Sequence, residues 1–420
     1  MTDEKRLKRE LGLTGAVMMG LGAMLGTGVF VSIGIAAGIA GPSVILATAL
    51  AAVVAVCNGL SSAQLAATHP VSGGTYEYGY HYLNSWLGFT AGWLFLLAKS
   101  ASAATAALGF SGYLLYNLQL PEIYRIPLAL IAVALFIAVV MSGMQRSNVV
   151  NTVIVSVTLF ALVMFISRGL PTITAKHFEH WFPATGVQHL SAFFEASALM
   201  FVAYTGYGRI ATLGEEVQNP ETTIPKAIIL TMVITMVLYI GVALVGIGVA
   251  GAQALQQATA QANAPLTAVA QAMGAPITAK ILTVGAITAM LGVLLNLVMG
   301  LSRVLLAMAR RGDVPAFFAH LNRTDPMIES KLLRRIDRAE PERLLFRDAA
   351  VFDCFRSVMI EVARQLVVVE GGEDDDACTA ERRVGADLSG RFDTVEIRHA
   401  NVEQRDNGLG APDQAHGVAS

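Results

Sequence analysis

The chain has 420 residues, 54% hydrophobic and 14% charged, proportions that set it apart from an ordinary soluble domain. Residues 1–321 hold 15 Lys/Arg and 11 Asp/Glu, and 322–420 hold the other 14 and 20, so the formal net charge of −2 averages an apolar region with a polar one and says nothing about partners. No basic stripe points to nucleic acid, and Cys57, Cys354 and Cys378 show neither metal nor disulfide spacing.

Lys5, Arg6, Lys8 and Arg9 precede the first apolar run and favour a cytoplasmic amino terminus. That run, residues 11–40, is too long for the core of a signal peptide and reads as a retained span. Its centre, Gly26-Thr27-Gly28 within GLGAMLGTGVFVSIG, is poor in helix formers. On one reading the helix opens here at mid-membrane, where freed backbone must be buried in protein or line a cavity. The restarted half-helix then points its positive end at the midplane, which suits a carboxylate. On the other reading Gly22 and Gly26 form a GxxxG pair that only permits close helix packing. A nucleotide loop is excluded, because GTGVFV lacks a third glycine and no strand precedes it.

Gly41-Pro42 breaks the chain, and a second span covers residues 43–67. Residues 69–84, HPVSGGTYEYGYHYLN, predict a turn followed by an interfacial aromatic helix. A third span, 86–115, embeds Lys99; a fourth covers 126–141, Gln145-Arg146-Ser147 reads as a polar turn, and a fifth span covers 149–166. The sixth, 190–213, is interrupted by Tyr204-Thr205-Gly206-Tyr207-Gly208, repeating the peculiarity of the first. Interrupted spans at matching positions in two halves are the sequence mark of a transporter site. A seventh span covers 227–250, residues 251–277 suit an amphipathic surface helix, and an eighth span covers 281–309. With the amino terminus inside, Arg146, Arg209, Lys226, Arg310 and Arg311 all fall on the cytoplasmic side.

Four segments resemble the amino acid–polyamine–organocation permeases: GLGAMLGTGVFV in span 1, PVSGGTYEYGYHYL after span 2, FVAYTGYGRIATLGEEVQNPETTIPKAI across span 6, and GLSRVLLAMARRGDVP ending span 8. The resemblance covers about residues 8–321 and implies an all-α integral membrane protein with the LeuT-type inverted-repeat fold, of which spans 1–8 are present. It implies that a substrate amino acid sets its α-carboxylate on the amides of Gly26, Thr27 and Gly28. The α-amino group meets carbonyls matching Val202, Ala203 and Thr205, and Tyr204 and Tyr207 are candidate gates, or else packing residues with satisfied hydroxyls. Glu215, Glu216, Asn219 and Pro220 fall in a loop motif that stabilises a cytoplasmic turn.

The chain departs from the family pattern in three places. The span-5 lysine tied to proton coupling in several branches is matched by Thr158, and the span-3 acid of cationic branches by Ala98. No run able to cross a bilayer follows in 327–420, so residues 1–321 read as a permease domain and 322–420 as a polar tail, disordered, fused or out of frame. Lys99 leaves three readings open: an ion pair with Glu195, a proton-responsive switch replacing the span-5 lysine, or contact with an anionic substrate group. The expected function is secondary active transport of amino acids across the cytoplasmic membrane by alternating access, impaired by loss of the later spans. The alternative is a non-transporting membrane protein that binds amino acid or signals. An enzyme is not expected, since no HExxH, GxSxG or paired Cys/His occurs in the spans. The expected partners are an amino acid and the lipid bilayer, with no metal, no cofactor and a proton as coupling ion; nothing in the sequence speaks to oligomeric state.

Overall fold

The structure is a computed structural model that describes residues 9–178, 181, 187–262 and 264–314; the polar tail expected over 322–420 lies outside them. Every element among the described residues is helical, apart from one bridge between Leu11 and Val217.

Span 1 is built in pieces: α1 (Leu13–Met24), a π-helical turn (Gly28–Ser32) and α2 (Ile33–Ala40). Gly41, at φ 62°, turns the chain into α3 (Val44–Thr68), which is span 2. The short α4 (Thr75–Tyr82) follows two left-handed glycines, Gly73 and Gly74, and is the expected aromatic interfacial helix. Span 3 is α5 (Ser85–Leu118), begun where the Asn84 side chain accepts the Leu87 amide at 2.8 Å. At 34 residues it extends to about 50 Å, longer than the hydrocarbon core of a bilayer. Spans 4 and 5 are α6 (Arg125–Met141) and α7 (Met144–Gly169). Gln145, Arg146 and Ser147, expected as a turn, lie in the first turn of α7; the reversal is made at Ser142-Gly143, where Gly143 takes φ 110°.

Span 6 is α8 (Val187–Tyr204), a 3-10 turn (Thr205–Tyr207) and α9 (Gly208–Ala211); span 7 is α10 (Pro220–Ala250). The single surface helix expected after it is two, α11 (Ala252–Ala262) and α12 (Pro265–Ala272), and they are not mere surface. Leu255, Leu266 and Val269 are buried, and α11 lies on α2, where a Cβ on Gly34 or Gly38 would strike Thr259 or Gln256. Span 8 is α13 (Pro276–Arg311), closed by Gly312 at φ 89°.

Six stretches are by themselves long and apolar enough to cross a membrane: Gly28–Thr68, Ser85–Leu115, Glu122–Met141, Met144–Thr172, Pro220–Ala250 and Pro276–Arg311. The first joins the second half of span 1 to span 2. The eight crossings read from the sequence are completed by Leu13–Met24, short because span 1 is broken, and by the divided span 6. Large apolar side chains such as Leu97, Ile131, Leu135, Val153 and Phe160 are exposed along spans 3–5, the outward face a bilayer would cover.

The spans fall into two packed groups. Spans 2 and 7 pack on each other and span 2 on span 6, while spans 3 and 5 pack on span 8 and span 3 on span 4. Span 1 touches both, through α10 on one side and α7 and α13 on the other.

Candidate functional site

The break in span 1 comes one residue earlier than its glycines suggest. Leu25 leaves the helix at ψ 92°, and its amide still closes the last turn of α1 on the Leu21 carbonyl. The next backbone donors to find an acceptor are Val29 and Phe30, both on the Gly26 carbonyl at 3.2 Å. The amides of Gly26, Thr27 and Gly28 thus form the first turn of the restarted helix, the donors that every helix leaves without an internal acceptor. They carry the positive end of its dipole.

Both readings of these glycines have a place in the geometry. A Cβ on Gly22 would strike the amides of Asn151 and Asn296, and one on Gly26 would strike Val293, so this pair packs against spans 5 and 8. Gly28 faces the other way, and a Cβ there would strike the Ala203 side chain and come within 3.1 Å of its Cα. Spans 1 and 6 therefore cross at Gly28 and Ala203 with no room for a side chain. A second close approach lies at Gly206, where a Cβ would sit 2.6 Å from the Ala23 carbonyl oxygen.

Span 6 does not open as expected. Tyr204, Tyr207 and Gly208 all keep right-handed helical angles, and the helix only tightens to a 3-10 turn. The physical reason is that its carbonyls find local partners. The Thr205 hydroxyl donates to the Val202 carbonyl at 2.8 Å. The Ala203 carbonyl lies 3.4 Å from the Tyr239 hydroxyl, which donates to the Met24 carbonyl at 2.6 Å. The Val202 side chain is exposed on the outer face of span 6. Tyr204 is fully buried with its ring 4.9 Å from that of Tyr239, and its hydroxyl has no partner, unlike the satisfied packing residue of the alternative reading. Tyr207 is buried as well.

The amino acid permease family model matches residues 15–326 of this chain. The chain belongs to the amino acid permease family. It is therefore a multi-pass membrane protein of a transporter family. An uncharacterized transporter of Mycobacterium tuberculosis is 41% identical over 317 residues, 74% of this chain and 68% of the relative. A branched-chain amino acid permease of Bacillus subtilis is 29% identical over 333 residues, 75% and 70% of the two chains. A methylthioribose transporter of the same organism is 29% identical over 339 residues, 76% and 71%.

In this permease the three coupling candidates do not come together. Lys99 reaches span 6, its ammonium 3.5 Å from the Thr205 hydroxyl and 5.9 Å from the centre of the Phe95 ring. Glu195, the expected ion-pair partner, is exposed ten residues before Thr205, about 15 Å along the helix. No ion pair joins it to Lys99 among the described residues. Thr158 is buried between spans 5 and 8, its hydroxyl on the Ile154 carbonyl at 3.0 Å and 3.2 Å from that of Thr288. Ala98, matched to the span-3 acid, is exposed on the outside of α5, so the inward neighbour is Lys99.

Four residues at the site were not legible as site residues. Tyr239 in span 7 looked like any span tyrosine, and Asn151 and Asn296 like isolated amides. Asn296 donates to Asn151 at 2.6 Å and Asn151 to the Met18 carbonyl at 2.9 Å, a polar link through spans 8, 5 and 1 beside Gly22. Arg209 is the fourth. It reads as a cytoplasmic charge, yet it is 5% exposed inside the bundle; its place directly after the interruption of span 6 at residues 204–208 was the available signal.

At the amino-terminal face the expected loop residues tie the chain together. Glu216 holds Arg303 of span 8 at 2.5 and 2.8 Å, and its carbonyl accepts the Glu10 and Leu11 amides. Glu215 holds Arg310 at 2.7 Å. Asp313 accepts the Tyr76 and Tyr80 hydroxyls at 2.7 and 2.6 Å, and Arg311 pairs with Glu77. Burial and the hydrogen bond to Asp313 push both tyrosines above the ordinary phenol range.

Proposed function

We propose that this chain is a secondary transporter of amino acids whose substrate sits at the crossing of spans 1 and 6. The observation that carries the proposal is the turn of three unpaired amides, Gly26, Thr27 and Gly28, at a helix start in mid-span. They receive the α-carboxylate. The α-amino group takes the carbonyls of Val202, Ala203 and Thr205, displacing the Thr205 hydroxyl from Val202, and Tyr204 and Tyr207 close over it. Alternating access then moves spans 1, 2, 6 and 7 against spans 3, 4, 5 and 8, the two groups already distinct in packing. Lys99 belongs to the second group and touches Thr205 of the first, so a proton gradient is coupled there rather than through Thr158 or Glu195.

A thermal-shift screen of the purified chain against the twenty amino acids tests the reading, with methylthioribose and simple carboxylic acids included. A ligand that binds the folded state raises the melting temperature in proportion to its saturation. Saturable stabilisation by a subset of amino acids, and none by the same compounds without the α-amino group, is the expected result. Stabilisation by methylthioribose alone, or by nothing in the panel, contradicts it.

A further inference from the structure

Beneath the crossing of spans 1 and 6, toward the amino-terminal face, lies a cavity of about 20 Å³, more than one water needs and room for a small polar group. Its polar lining is Lys99 of span 3, Arg209 of span 6 and Asn296 of span 8, with Ala23, Gly206 and Gly300 providing the gaps between them. Arg209 stretches across to span 8, its Cδ 3.4 Å from where a Cβ on Gly300 would stand.

The charges around this cavity do not balance. Arg209 is a permanent cation with five donors. One nitrogen donates to the Thr212 hydroxyl at 2.6 Å, while Nε and Nη2 are buried without any partner. Lys99 has only a hydroxyl and the edge of an aromatic contact for its ammonium. Glu216 is the carboxylate whose charge acts on Arg209; Arg303 holds its Oε1, and its Oε2 is buried without a hydrogen-bond partner. No ion pair joins Arg209 to Glu216 among the described residues. Two cations, Lys99 and Arg209, thus line the cavity and no acid does, in a region where an uncompensated charge is costly to place. What the site lacks is an anion.

We infer that this cavity is the subsite for the side-chain carboxylate of an acidic amino acid. It rests on the reading of the Gly26–Gly28 amides as the α-carboxylate site. Ala23, on the cavity wall, and Gly26 lie on either side of the break in span 1, no more than about 11 Å of chain apart, a gap that the two carboxylates of a four- or five-carbon dicarboxylic amino acid can bridge with a hydrogen bond at each end. The same two cations repel a lysine- or arginine-like substrate and leave a neutral one with unpaired donors. Specificity here comes from donors left unsatisfied by the wrong ligand as much as from attraction to the right one.

Competition binding on the purified full chain in nanodiscs, with glutamate, aspartate, glutamine, leucine and lysine as competitors, tests the assignment. Glutamate or aspartate is expected to bind about tenfold to a hundredfold more tightly than glutamine, the effect of a hydrogen-bonded buried charge. The ratio should collapse toward one in Lys99→Met and in Arg209→Gln, and Arg209→Lys should retain much of it even if Arg209→Gln fails to fold. Equal binding of glutamate and glutamine overturns this inference and leaves the amino-acid reading standing. Binding of no amino acid overturns that reading first. Should chloride in place of gluconate stabilise the wild type but not Arg209→Lys, with glutamate no better than glutamine, the cavity holds an inorganic anion and the assignment is wrong.

Discussion

At the scale of single residues the site depends on groups that have only one good partner. Tyr239 is the clearest: buried beside Tyr204, it donates a hydrogen bond to the Met24 carbonyl at the point where span 1 breaks. Removing the hydroxyl leaves that carbonyl unsatisfied, which costs about 1–3 kcal/mol. Tyr239→Phe should therefore lower the melting temperature of the detergent-solubilised protein and weaken amino acid binding; a variant that melts and binds like the wild type would detach Tyr239 from the break. A pH effect is expected at the far end of span 2. His69 stacks on His81 with ring centres 4.2 Å apart. Burial, then the His81 charge, holds His69 below its ordinary value. Its neutral form is therefore favoured in the folded state, so the contribution is full above about pH 6.5 and is lost as pH falls below it. Melting curves should show a loss of stability as pH falls below about 6.5, smaller in His69→Phe.

At the scale of elements the loop between spans 6 and 7 does the most. Glu216 binds span 8 by its side chain and the start of span 1 by its carbonyl, so one residue ties three spans. Breaking a buried pair from one side costs about 3–5 kcal/mol, because the remaining charge stays unpaired. Glu216→Gln should destabilise the protein by about the lower figure, since the amide oxygen still accepts from Arg303, and Glu216→Gln/Arg303→Met should recover part of the loss. If the single variant unfolds like the wild type, the loop does not lock this face. These elements also show what the sequence could convey. Apolar runs, prolines and glycines were enough to mark the six stretches able to cross a membrane, since span length and helix breaking depend on local composition. The tight span-6 turn was not legible, because whether a Gly-rich stretch opens depends on the hydroxyls of Thr205 and Tyr239 that reach its carbonyls. Glu195, in the first half of span 6, is the acid the sequence offers to Lys99. The direction of each side chain around its helix decided otherwise. Arg209 suits the cytoplasmic side by the positive-inside rule, yet it is buried inside the bundle.

At the scale of the molecule the two groups of spans share span 1, and span 1 is the piece that is broken. A ligand bound at its break contacts both groups, which is how binding energy at one point can favour one arrangement of the spans over another. Gly28 lies on the seam between them, against Ala203. A leucine there fills the crossing and covers the amides while leaving every apolar run intact, so membrane insertion is retained and the ligand site is lost. The most direct measurement is equilibrium binding of a radiolabelled amino acid that stabilises the wild type, on wild-type and Gly28→Leu protein of equal monodispersity. Saturable binding by the wild type and none by Gly28→Leu is the predicted result; equal binding by both would contradict the placement of the substrate at the break in span 1.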